Sequence, residues 1–97
     1  MKLKFNESKL ITISTPFSEE QKEINCIIIS SITIFPQIKM ATVQYYESYD
    51  TGTSITTYRI QTLNISESEY NQIPNFNERA MLELIKEKEN INGEIVE

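Results

Sequence analysis

Apolar and polar residues alternate through two stretches that flank Asp50-Thr51-Gly52-Thr53: IKMATVQYYESY before it and SITTYRIQTLNI after it. Alternation with many β-branched and aromatic side chains predicts two strands. Thr51-Gly52, with Asp50 beside it, predicts the tight turn of a β-hairpin. With Asp50 opposite Thr53, Tyr45 faces Tyr58 and Val43 faces Ile60 on one side of the ribbon, with Ala41 beside them. Further from the turn, Met40 faces Leu63 and Ile38 faces Ile65 on the other side. Both strands thus move their apolar side at one level, near Ala41-Thr42 and Gln61-Thr62. A slip of one residue would undo every match, so the pattern specifies this register. It fits a ribbon twisted across one core, or one whose tip and base pack on different surfaces.

The most apolar stretch precedes this hairpin. In INCIIISSITIF, Ile24 to Phe35, the residues Ile24, Cys26, Ile28, Ile32 and Ile34 share one face, while Ile27, Ile29 and Phe35 share the other. A strand apolar on both faces predicts a central, twice-covered position. Pro36-Gln37 reverses the chain. With Phe35 opposite Ile38, Ile28 meets Tyr45 and Ile32 meets Ala41, which extends the hairpin to a three-stranded antiparallel meander. At the N-terminus, Leu3 and Phe5 alternate with lysines and Leu10-Ile11-Thr12-Ile13 resumes an extended pattern. This fits either a small hairpin or one strand with a bulge. Thr15 to Glu23 reads as an exposed acidic loop.

After Ile65 the period changes. Ser66-x-x-Glu69 has capping-box spacing and opens a short helix that Pro74 ends. Asn75-Phe76-Asn77-Glu78 leads a second helical pattern, with Ala80, Met81, Leu84 and Ile85 on one arc, Leu82 off it and Phe76 at its edge. Asn92-Gly93 is the expected stop, and Ile95-Val96 form an apolar tail able to pair as a strand or dock elsewhere. The expected fold is α+β: an antiparallel β-meander or small sandwich of about four to five strands with a C-terminal amphipathic helix. It forms one domain over residues 1–97, β-rich through 1–65, helical through 66–91 and ending in the tail 92–97. One helix cannot cover both faces of such a sheet.

A chain of 97 residues with 39% hydrophobic and 24% charged residues is long enough for one modest core. The net charge of −5 and the lack of a Lys/Arg run argue against binding a nucleic-acid backbone or an anionic membrane. Met1-Lys2-Leu3-Lys4-Phe5 does not read as a secretory signal, so synthesis in the cytoplasm is expected. Cys26, the single cysteine, lies in an apolar strand and reads as a buried, inert thiol.

Candidate chemistry is sparse. No histidine is present, which removes Ser–His and Cys–His dyads and most zinc sites. Two glycines cannot build a phosphate-binding loop. Carboxylate pairs such as Glu19-Glu20 and Glu67/Glu69 fall at loop and helix-start positions, where solvated charge and the helix dipole explain them. The expectation is a protein that is not an enzyme and that needs no cofactor or metal. Tyr45, Tyr46, Tyr49 and Tyr58 gather near the hairpin tip, and tyrosine suits protein–protein contacts because its body is apolar and its end polar. Tyr46 and Tyr49 point to opposite faces, so at most one lies on the core side. The candidate interface residues are Tyr46, Tyr49, Tyr58, Arg59, Ile95 and Val96, with Arg59 expected opposite Gln44, either facing a partner or salt-bridged.

The order of a β-meander turning through YESYDTGT, then YRIQTLNISESEY, then a closing amphipathic helix resembles the small structural proteins of tailed bacteriophages. Those proteins form head, neck or tail-baseplate parts. The resemblance implies a non-enzymatic assembly protein, working as a homo-oligomer with other structural proteins of a virion and without direct contact to nucleic acid or membrane. The alternative reading is a small acidic inhibitor that binds a host enzyme and stays in the cytoplasm.

Overall fold

The structure, a computed structural model, describes residues 1–97. Its elements are β1 (Lys2–Ser14), β2 (Glu19–Phe35), β3 (Met40–Asp50), β4 (Ile55–Ile65), α1 (Glu67–Tyr70), α2 (Glu78–Lys88) and β5 (Gly93–Val96). The strands form one antiparallel sheet in the order β4-β3-β2-β1-β5. The meander is therefore present, while a sandwich is not, since there is no second sheet. The helix expected to close the chain is not its last element. Two short helices sit between β4 and β5, and the C-terminal element is a four-residue strand added to the far side of β1.

Register departs from the sequence-based expectation in both hairpins, because each turn takes in four residues rather than two and each ladder then carries a bulge. Beyond the β3–β4 turn, Asp50 pairs with Ile55 rather than Thr53, because the connection takes in Thr51 to Ser54, closed by Thr51 N–H donating to Ser54 O at 3.0 Å. Gly52 holds φ 93° there, a conformation open to glycine at little cost. The ladder then shifts between Glu47 and Ser48, opposite the unpaired Tyr58. Past that bulge Val43 faces Leu63 rather than Ile60 and Ala41 faces Ile65, so the expected Met40–Leu63 and Ile38–Ile65 pairs do not form. Along β2 a second irregularity falls at Ser30. The four-residue turn Pro36–Lys39 already puts Ile32 opposite Val43 in place of Ala41, and beyond the bulge Ile29, not Ile28, faces Tyr45.

The Ser30 bulge also explains why β2 looked apolar on both faces. Residues directly opposed in a sheet share a face. One face carries the rows Ile95–Leu3–Ile27–Glu47–Arg59, Ile29–Tyr45–Gln61, Ile32–Val43–Leu63 and Ile34–Ala41–Ile65. The other carries Cys26–Ser48–Thr57, Ile28–Tyr46–Ile60, Ser31–Gln44–Thr62 and Thr33–Thr42–Asn64. The strand crosses from one apolar pattern to the other at the bulge, and the second face is mostly Ser, Thr, Asn and Gln. A half-solvated antiparallel sheet needs only one cover.

That cover is α1 and α2. Met81, Leu82 and Ile85 of α2 are buried against Leu3, Ile27, Val43 and Ile65 in one cluster, which Ile24 and Ile11 also join. Leu82, expected off the apolar arc, is fully buried and joins the same core cluster. The Asn77 side chain accepts from Ala80 N–H at 2.8 Å, two residues after the expected cap. The helix stops at Lys88, ahead of the expected Asn92-Gly93. Asn90 takes φ 53°, and Asn90 N–H and Ile91 N–H close back on Glu87 O and Lys86 O, a Schellman arrangement with asparagine in the glycine place.

Both uncertain N-terminal segments are strand. β1 is one strand with a wide bulge, since pairing jumps from Lys4–Cys26 to Lys9–Ile24. The segment read as an acidic loop over Thr15 to Glu23 is a tight turn at Thr15–Ser18 followed by the start of β2, with Glu19 to Glu23 paired to β1. Residues 9–24 thus form a hairpin arm beyond the bulge. It packs along β4, where Thr12 O lies 3.5 Å from Arg59 Nη1 and the Lys22 ammonium sits 5.7 Å from the centre of the Tyr58 ring.

Gly93 opens β5 where the backbones approach most closely. A Cβ there would lie 2.3 Å from Lys4 O, so only glycine lets β5 seat on β1. Gly93→Ala is expected to lower stability by about 1–3 kcal/mol, read by urea unfolding, and to speed amide exchange at Leu3 and Lys4. Unchanged exchange at those amides would show that β5 does not need the close approach.

Candidate interaction surface

The candidate residues do not form one patch. Arg59 stands opposite Glu47, not Gln44, and its Nε donates to Glu47 Oε1 at 2.6 Å. The Tyr58 bulge turns this pair to the covered face, beside Ile27. Glu47 is only 6% exposed, so its charge is held by the guanidinium and little else. The Glu47 carboxylate in turn raises the Arg59 pKa above its ordinary value. Arg59 therefore acts inside the molecule, tying β4 to β3 and reaching Thr12 of the arm. Tyr58 is half-buried beneath Lys22. Burial, with Glu89 nearby, pushes the neighbouring Tyr45 phenol up to about 12.

A second polar junction lies at the tip of β3. Asn25 Nδ2 donates to Asp50 O at 2.9 Å, and Asp50 N–H donates to Asn25 Oδ1 at 2.8 Å. The side-chain amide thus continues the ladder one step after the β2–β3 backbone pairing ends. Lys2 bonds the Asp50 carboxylate, whose other oxygen accepts from Gly52 N–H at 2.7 Å. These two contacts hold the Asp50 pKa below the usual carboxylate range, and the same carboxylate raises that of Lys2. Cys26 is buried next to this junction, its thiol 3.7 Å from Ser48 O and its pKa pushed up by burial. That geometry suits an inert thiol, since a nucleophile needs the thiolate.

The remaining candidates lie on the outer face and the edges. Tyr46 stands between Ile28 and Ile60, and its phenol oxygen accepts from the Ser30 hydroxyl at 3.1 Å. Tyr49 pairs with Thr56 near the turn and is half-buried. Ile95 and Val96 belong to β5, with Ile95 against the core and Val96 opposite Lys2. Strands β4 and β5 are the two edges of the sheet. The clefts are lined mainly by polar side chains, one by Asn6, Glu7, Ser8, Glu89 and Asn92, another by Lys2, Lys4, Asn25 and Asp50.

The more apolar surface lies where the sequence reading placed no candidate. Phe35 and Met40, directly opposed on the outer face, are exposed with Ile38 at the β2–β3 turn, Ile38 at 60%, while Ile34 is exposed on the helix side. Phe17, at the tip of the arm, is 97% exposed. The signal for Phe17 was available: a large aromatic in the polar turn Thr15-Pro16-Phe17-Ser18 has no core to enter. The signal at the other turn was hidden, because Ile38 had been assigned a cross-strand partner that the true register removes.

Arg59→Ala strands a buried carboxylate. It is expected to destabilise by at least 2 kcal/mol, short of the roughly 3–5 kcal/mol for a fully buried pair because Arg59 is about one-third exposed. The Glu47→Leu/Arg59→Leu double replacement should recover most of the loss in urea unfolding, and a double variant as weak as the single one would refute the argument. The Asp50 contact gives a pH dependence of defined sign. With its folded pKa lowered, its contribution is full above the unfolded value of about 4 and is lost as pH falls through the folded pKa. The stability gap between wild type and Asp50→Asn should therefore close on acidification below about pH 4, and a gap that persists there would contradict this.

No family model matches the chain, and no curated protein or solved structure shows detectable similarity to it.

Proposed function

We propose that the protein is a non-enzymatic structural component that assembles as a homo-oligomer within a larger particle. The observation that carries this reading is the apolar surface left uncovered at both ends of β2: Phe17 at one turn, and Phe35, Ile38 and Met40 at the other. Large apolar side chains grouped on a small domain mark contact surfaces. The β4 edge adds support beyond its Tyr58 bulge, because Ile60–Ile65 carries no Lys or Pro to blunt it. Tyr46 with Ile60 on the outer face, and Val96 on β5, offer smaller contacts of the same kind.

The setting follows the resemblance to head, neck and tail-baseplate proteins of tailed bacteriophages. The protein is made in a host cytoplasm and taken into the virion, with itself and other structural proteins as partners. An enzyme inhibitor acting through an acidic surface is less well supported. Its acids lie on several elements, Glu19, Glu20 and Glu23 on β2, Glu83 and Glu87 on α2 and Glu94 on β5, rather than on one face.

Light scattering coupled to size exclusion is expected to show an oligomer, and mass spectrometry of purified particles is expected to find this chain in stoichiometric amount. A monomer that binds no particle component would refute the reading.

A further inference from the structure

We infer that the two apolar ends of β2 are the two halves of one head-to-tail contact between copies of this chain. In this contact Phe17 of one copy docks among Phe35, Ile38 and Met40 of the next. The inference rests on the homo-oligomer reading and names its interface.

Three observations point to a second copy rather than an unrelated partner. Both halves are apolar and exposed. One is a single projecting ring on the tight Thr15–Ser18 turn, and the other is a group of aliphatic, aromatic and thioether side chains without a neighbour of its own. They are complementary in charge. Glu19, two residues from Phe17, makes no ion pair, since the arm's one internal pair joins Lys22 to Glu20. Lys39 sits between Ile38 and Met40, makes no ion pair either, and is the single charged residue from Ile24 to Tyr46. It also holds φ 51°, a conformation in which a glycine or asparagine would be less strained. Finally, the halves do not meet within one molecule, since Phe17 is 97% exposed and the strand Glu19–Phe35 separates it from the β2–β3 turn.

Placement at opposite ends fixes the kind of assembly. Different patches meet at each junction, so the contact is heterologous and propagates into a ring or an open row rather than closing as a two-fold dimer. A buried phenylalanine side chain removes only about 150–250 Å² on its side, well below the ~1,200 Å² of a stable pairwise interface. Each junction alone is therefore weak, and avidity is gained only where the row closes into a ring.

The experiment is sedimentation velocity on the full chain over a concentration series, from about 10 μM to about 1 mM, the range suited to weak contacts. Wild type is expected to gain mass with concentration. Phe17→Ser and Ile38→Ser each should need at least tenfold more protein to do so, with unchanged circular dichroism because both side chains are exposed. An equal mixture of these two variants should form a heterodimer that grows no further, because one keeps the receiving end and the other keeps the ring. Glu19→Lys should weaken assembly, and Lys39→Glu in the same chain should restore it. If wild type assembles and the variants assemble equally well, the inference fails while the homo-oligomer reading stands. If wild type stays monomeric throughout, the inference fails, and the broader reading falls with it only if particle components also do not bind.

Discussion

The amide of Asn25 takes the place that a strand residue would otherwise fill, pairing with both backbone groups of Asp50 where β2 leaves β3. Much of the architecture depends on this substitution. Beyond it the Asp50 backbone would lose its partner, and an unpaired backbone group out of water costs on the order of 1–3 kcal/mol. With the side chain supplying both bonds, β2 is free to leave the central sheet and continue to Glu19 in company with β1 alone. The wide bulge in β1 between Lys4 and Lys9 provides the matching change on the other strand. One strand thereby serves two structures, the core sheet and the projecting arm. The arm returns to β4 through Arg59 and Lys22, and its Ile11 and Ile24 join the core cluster beside α2.

Bulges do a second service by deciding what each face of the sheet contains. At Ser30 the apolar positions of β2 change parity, so Ile27, Ile29, Ile32 and Ile34 all reach the helix side. At Tyr58 the same change in β4 brings Leu63 and Ile65 to that side and turns Arg59 inward against Glu47. Two short helices then suffice as cover, and α2 is locked to α1 by Lys88 and Glu69 at 2.7 Å. The outer face is left to hydroxyl and amide side chains that bond across strands, such as Ser48 with Thr57 and Thr42 with Asn64.

The strands from Ile24 onward were readable in the sequence because periodicity, β-branched content and the Asp50–Gly52 turn agree with one another. Register was not readable. Each bulge adds one residue on one strand, and neither Ser30 nor Tyr58 differs in type from its neighbours in a way that announces it. The Glu19–Glu23 segment was misjudged for a related reason, since its pairing comes from Lys9 to Ser14 rather than from any alternation of its own. Arg59 shows how the same error reaches the surface residues. Counting without the bulge placed it opposite a neutral Gln44, whereas Glu47 is its neighbour and holds it inward. Ile38 shows the reverse, an apolar residue credited with a core partner and in fact left outside.

The pairing of β5 with β1 joins Lys2 to Val96, nearly the full span of the chain. Contacts this distant in sequence form late, because the loop between them must be ordered before the pairing offers any return. During synthesis the meander and its arm can therefore be complete while the β1 edge is still bare. A chain paused at that stage exposes a second free edge beside β4, and pairing between such half-finished chains would compete with closure.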